Sequence, residues 1–228
     1  KQRALAEPPS QAVLRGAREG FTETINTNTA LIRRRLQDPD LVIKVLRLGR
    51  RSRTRVAVVY LRDVASTRIV AEVEKRLKAI DVDGVLESGI IEHLIEDRRM
   101  SPFPQVQLSE RPDQVAAEIL QGRIAILTDT TPFTLLVPLT FDHLFKAPED
   151  YYHRWLTGSL VRLIRFLATV VALLLAPFYI SLVSFQPALL PTELALSIAQ
   201  TRAVVPIPAT IEAILMIVML ELVREAGV

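Results

Sequence analysis

The sequence predicts a small α/β soluble domain, a mixed sheet with flanking helices, followed by an α-helical transmembrane region. Three observations carry this. Apolar runs of strand and helix period alternate between about residues 50 and 145. Phe166 to Phe185 then runs for twenty residues without a charge, enough at a helical rise to cross the roughly 30 Å hydrocarbon layer. Charge density also collapses at that point: residues 1–165 hold 26 Lys and Arg against 21 Asp and Glu, whereas 166–228 hold two against four.

The elements follow in order. Residues 1–20, with Pro8, Pro9, Gly16 and Gly20, read as a linker. Thr22 to Leu36 reads as a helix presenting Ile25, Leu31, Ile32 and Leu36, stopped at Asp38-Pro39. Arg47 to Arg55 (RLGRRSRTR) reads as a solvated surface loop, or one near anionic headgroups. Arg55 to Leu61 is β-branched and apolar, a buried strand. Ser66 opens a helix whose stripe is Ile69, Val73, Leu77 and Ile80. Val85-Leu86 is expected as a short strand, Gly89 to Asp97 as a short helix, and Pro102 to Glu110 as extended. Pro112 suits the first turn of a helix with Val115, Ala116, Ile119 and Leu120 on its apolar face, ending at Gly122. Ile124 to Leu127 and Phe133 to Val137 are expected strands.

The domains expected are therefore 1–48, a linker and helix; 49–147, the cytoplasmic α/β domain; 148–165, a juxtamembrane amphipathic helix; and 166–228, the start of a membrane domain. Tyr151, Tyr152 and Trp155 fit an interfacial aromatic belt, and Arg154, Arg162 and Arg165 predict a cytoplasmic flank. For 149–160 a soluble amphipathic helix packed on the domain is the alternative. The span covers about 163–185; Pro177 kinks it without forbidding it. A proline-broken segment, about 190–224, reads as re-entrant or as a second span. The chain lacks a starting Met and an apolar signal core and stops just past an apolar run, which reads as a fragment.

Several function classes find no support. Acidic residues intersperse the basic ones, and no aromatic-basic platform marks a nucleic-acid binder. There is no cysteine, and His93, His143 and His153 lack a second ligand at metal spacing, so surface or cap roles are expected for them. Eight glycines include no phosphate-binding loop, and no nucleophile elbow occurs. No enzyme activity, cofactor or metal is expected.

Glu193, Glu212 and Glu221 lie in or beside apolar sequence, where an unpaired charge costs roughly 2.5 kcal/mol or more at the bilayer centre. Each either lines a polar path or sits at the interface, paired with Arg202 or Arg224. Both readings stand open for Glu212. Glu221, near Arg224 and Glu225, suits the interfacial one, and Glu193 suits a helix-initiating carboxylate.

Specific residues go further than periodicity. The stretch Gly16 to Leu36, with Gly16, Glu19, Gly20 and Phe21, resembles a signature of the A subunits of bacterial spore-germinant receptors. So do 102–113, with Pro102, Phe103, Pro104, Glu110, Arg111 and Pro112, and the GR-A-L-D-TPF pattern from Gly122 to Phe133. Pro148, Glu149, Asp150 and Tyr151, then Pro191 and Glu193 in LPTELALSIA, and the ELVREAG ending keep the same order. Ala17 stands where the family usually has Pro.

The resemblance implies a multi-pass inner-membrane protein of spore formers, with a cytoplasmic α/β region before its membrane helices. It further implies work with a B-type membrane subunit and a C-type lipoprotein, nutrient sensing, and assembly of a homo-oligomer that conducts ions. A sporulation-specific channel component of the same family is equally compatible, and a membrane-anchored scaffold is the alternative from another class.

Overall fold

The computed structural model describes residues 19–98, 100–101, 103–145, 154–186, 189, 191–202 and 207–227. Gly16, Pro102, Pro148, Glu149, Asp150 and Tyr151 lie outside the described residues, as does the linker over 1–18. The chain divides into two compact units, one ending at Gly158 and the other beginning at Ser159.

Among the described residues, the first unit holds five strands and four helices. These are α1 (Ile25–Arg35), β1 (Leu41–Leu48), β2 (Thr54–Leu61), α2 (Thr67–Lys78), α3 (Ser88–Ile95), β3 (Gln107–Ser109), α4 (Pro112–Leu120), β4 (Ile124–Thr128) and β5 (Thr134–Val137), then a 3₁₀ turn, Phe141–Phe145. The sheet order is β1-β2-β4-β5-β3. All four pairings are antiparallel, where the sequence had predicted a mixed sheet. The reason lies in the connections: β1–β2 and β4–β5 are close hairpins, which force reversal, and β2 ends at the same end of the sheet at which β4 begins.

Helices cover both faces. Val56, Val58 and Tyr60 pack with Ile124-side residues Ile126 and Leu135 under Val70, Val73 and Leu77 of α2 and Ile91 and Ile95 of α3. Ala57, Val59, Leu61, Ala125 and Leu127 face Ile25, Leu31 and Ile32 of α1 and Val115 and Ile119 of α4. The alternation along β2 and β4 therefore feeds two cores, which is why both strands read as continuous apolar runs.

Three expectations are corrected. β1 was missed, because Lys44 and Arg47 interrupt its apolar residues. It is an edge strand, and its outer flank is half solvated. The supposed loop Arg47–Arg55 is consequently the end of β1, a turn over 49–53 and the start of β2. Gly49 supplies the positive φ of that turn (85°), which costs a glycine little. Val85-Leu86 is no strand: Val85 is buried with its amide held by Ser52 Oγ at 3.0 Å, while Leu86 is exposed. In α4 the outward residue is Leu120, 56% exposed, and Glu118 is buried instead.

The second unit contains most of α5 (Trp155–Phe185), then α6 (Thr192–Arg202) and α7 (Ala209–Ala226). Helix α5 runs unbroken through the predicted boundary at 165 and carries Pro177 inside it. It is one helix, among the described residues, long and apolar enough to cross a membrane. The Thr169 hydroxyl donates back to the Arg165 carbonyl at 2.9 Å, so it is satisfied within the helix.

Candidate functional site: a motif junction, an exit cluster and three apolar-segment carboxylates

The sheet register places two polar clusters at opposite ends of the soluble unit. At one end lie Thr54, Thr128, Thr134 and Ser109; at the other lie Leu61, Ile124, Val137 and Gln107.

The first cluster gathers the three motif stretches. Helix α1 begins at Ile25, and its N-cap residue makes no side-chain cap of its own. Asp129, 104 residues on, supplies one: its Oδ1 accepts the Ile25 amide at 3.0 Å. The other oxygen accepts Arg55 Nε and Nη2 at 3.1 and 3.0 Å. The Thr130 amide donates to the Glu23 carbonyl at 2.7 Å, and its hydroxyl donates to the Leu86 carbonyl at 2.9 Å. Thr22 and Asn28 close a local ring, Thr22 N to Asn28 Oδ1 at 2.8 Å and Asn28 Nδ2 to Thr22 O at 2.6 Å, both residues being buried. The Phe21 amide donates to the Glu110 carbonyl at 2.8 Å, which joins the first motif to the second.

There Arg111 is wholly buried and donates to Asp113 Oδ2 at 2.7 Å. The Ser109 hydroxyl donates to Gln114 Oε1 at 2.8 Å and accepts the Arg111 amide at 3.2 Å. Of the motif residues, Gly20, Phe21, Glu110, Arg111 and Pro112 are therefore interior, whereas Phe103 and Pro104 are exposed. Glu19 accepts from Arg34 and Arg35 of α1, with Arg35 at 3.0 Å. The Arg34 hydrogen bond holds its carboxyl below the usual glutamate range; partial burial works against this, and Arg35 adds to the lowering.

The second cluster was not foreseen. Glu118 Oε2 accepts Arg123 Nη1 at 3.0 Å and faces His143 Nε2 at 3.2 Å. Arg123 also donates to Gln107 Oε1 at 2.5 Å and to the Leu136 carbonyl at 3.0 Å. His143, expected at the surface, has a side chain only 11% exposed. The periodic pattern could not show this, because the contact spans 25 positions and two polar residues.

In the second unit, Glu193 stands in the first turn of α6 and Glu212 in the first turn of α7, where each complements the helix dipole. Glu221 pairs with Arg224 one turn on. Glu212 and Glu221 are about two and a half turns apart, so they lie on opposite sides of α7. Glu212 shares its side with Met216, Met219 and Val223 along a shallow cleft of about 310 Å³. Among the described residues no cluster of His, Asp or Glu stands where it could hold a metal ion.

The chain is 49% identical over 225 residues to spore germination protein B1 of Bacillus subtilis (strain 168), covering 99% of this chain and 47% of that protein. It is 45% identical over 227 residues to spore germination protein A1 of the same organism, covering 100% and 47%. The crystal structure of the N-terminal domain of the A subunit of the Bacillus megaterium spore germinant receptor GerK3 is 48% identical, with 54% of this chain and 97% of that one covered and a TM-score of 0.44. The chain thus spans about half the length of the curated relatives it matches. The model of the Bacillus/Clostridium GerA spore germination proteins matches residues 1–228, and the chain belongs to that family.

Proposed function

We propose that this chain is part of the membrane A subunit of a spore germinant receptor, a non-enzymatic protein that answers nutrients by triggering ion release. The observation that carries this is the joining, in one chain matched along its length by germination proteins, of a motif-built soluble unit to a helix fit to span a membrane. Arg154, Arg162 and Arg165 at the start of α5 support a cytoplasmic position for the soluble unit, by the bias of basic residues toward that side. The full protein would be multi-pass in the inner spore membrane. It would act with a B-type membrane subunit and a C-type lipoprotein, and form a homo-oligomeric channel. Glu193, Glu212 and Glu221 are its candidate polar membrane residues; Glu212, on the apolar side of α7, is the one best placed to meet a partner helix or an ion path.

The second reading is a membrane-anchored scaffold or a sporulation-specific component of the same family. It is favoured by a soluble unit most of whose described motif residues are interior. Full-length protein in liposomes separates channel from scaffold: cation flux that falls with Glu212→Ala supports the channel, and no flux in any oligomeric state supports the scaffold.

A further inference from the structure

The chain leaves the sheet at Val137 and passes through the turn Phe141–Phe145 on its way to α5. No residue of that turn is buried. Phe141 and Phe145 pack edge-on against one another, centroids 5.0 Å apart, and Phe141 remains 67% exposed. Apolar burial therefore does little to fix this turn on the domain.

A polar contact fixes it. His143 Nε2 lies 3.2 Å from Glu118 Oε2, and Glu118 is 1% exposed at the C-terminal end of α4. Glu118 is itself held by Arg123, which grips the Leu136 carbonyl on β5 and Gln107 on β3. The other ring nitrogen is 2.5 Å from the Thr140 hydroxyl, so both edges of the imidazole are engaged. A carboxylate can only accept, so Nε2 is the nitrogen that carries a proton toward Glu118. Bonds of this charge-assisted kind are stronger than neutral ones, and burial raises the cost of leaving Glu118 short of a donor.

Helix α4 extends the connection. Its N-cap residue Arg111, with Asp113 and Gln114 of its first turn, lies in the motif junction, and its last turn holds Glu118. We infer that His143 is a positioning residue, and that its contact with Glu118 straps the turn leading to α5 onto α4. Through the rigid helix, that turn is tied to the motif junction at the far end of the sheet. This rests on the receptor reading for its consequence, which is transmission of a change in the soluble unit toward the membrane helix, but not for the strap itself.

The test uses the full-length protein in membranes, carrying His143→Ala or His143→Gln, followed by amide hydrogen exchange and by nutrient-triggered cation release from spores. In His143→Ala the amides of 140–145 should exchange about tenfold faster, with β2 and β4 unchanged. The nutrient concentration for half-maximal release should rise about tenfold at normal protein level. His143→Gln keeps a donor for Glu118 and should recover most of both. Unchanged exchange of 140–145 in His143→Ala, or equal effects of Ala and Gln, would overturn the strap. Faster exchange with normal release, in a strain where deleting the gene abolishes release, would overturn transmission. Normal release after deletion would instead refute the receptor reading and leave the exchange result to judge the strap.

Discussion

Asp129 accepts the backbone amide of Ile25 across 104 residues and so caps a helix that starts at the other end of the soluble unit's sequence. Its second oxygen holds Arg55 on β2. One carboxylate thereby joins α1, β2 and the loop after β4. Asp129→Ala should cost about 2 kcal/mol, a lost cap together with a lost charge-assisted pair. Asn should recover part of it by keeping the cap acceptor. Hydrogen exchange of the first turn of α1, compared with β4, reports this directly.

Arg111 should tolerate replacement poorly. Its side chain is fully buried against Asp113. Arg111→Ala leaves that carboxylate without its cation, a change that costs roughly 3–5 kcal/mol in buried pairs. The expected result is low accumulation or a large fall in melting temperature, and a normal melting temperature would refute the assignment of Arg111 as a core tie.

Gly122 ends α4 with φ +88°, and a Cβ there would meet the Val64 carbonyl oxygen at 3.0 Å. Gly122→Ala should therefore destabilise by about 1–2 kcal/mol from the left-handed backbone alone. A denaturation midpoint that moves while its slope stays constant is the expected signature.

Glu19 makes a pH-dependent contribution. Its carboxyl is held below the usual range mainly by Arg34, so the stability it adds is present above the unfolded value and is lost as pH falls through the folded one. Arg34 is 56% exposed, which limits the contribution to about 0.5 kcal/mol. Glu19→Gln should be less stable than the parent near neutral pH, with the difference vanishing in acid and shrinking in high salt.

Much of this fold was legible because its period-bearing segments are also its buried ones. Val73 and Leu77 of α2, Ile25 and Ile32 of α1, and the runs of β2 and β4 all lie where their spacing placed them. Helix α5 announced itself by length and by the absence of charge. What stayed hidden depended on distance along the chain. Strand β1 mixes Lys44 and Arg47 with apolar residues because one flank of an edge strand faces water, and that pattern reads as loop. His143 read as a surface or cap residue, since a buried partner 25 positions away leaves no trace in local spacing. The motif residues were visible by resemblance, but that Phe21, Glu110 and Asp129 belong to one junction required the sheet register.

The central claim is that this chain belongs to a membrane subunit through which nutrients trigger ion release. Cation release from single spores after nutrient addition tests it most directly, comparing the parent, a strain lacking the gene, and that strain with the full-length gene restored. The account predicts that deletion abolishes release to at least one nutrient, and that restoration returns it. Unchanged release to every nutrient that triggers the parent would contradict it.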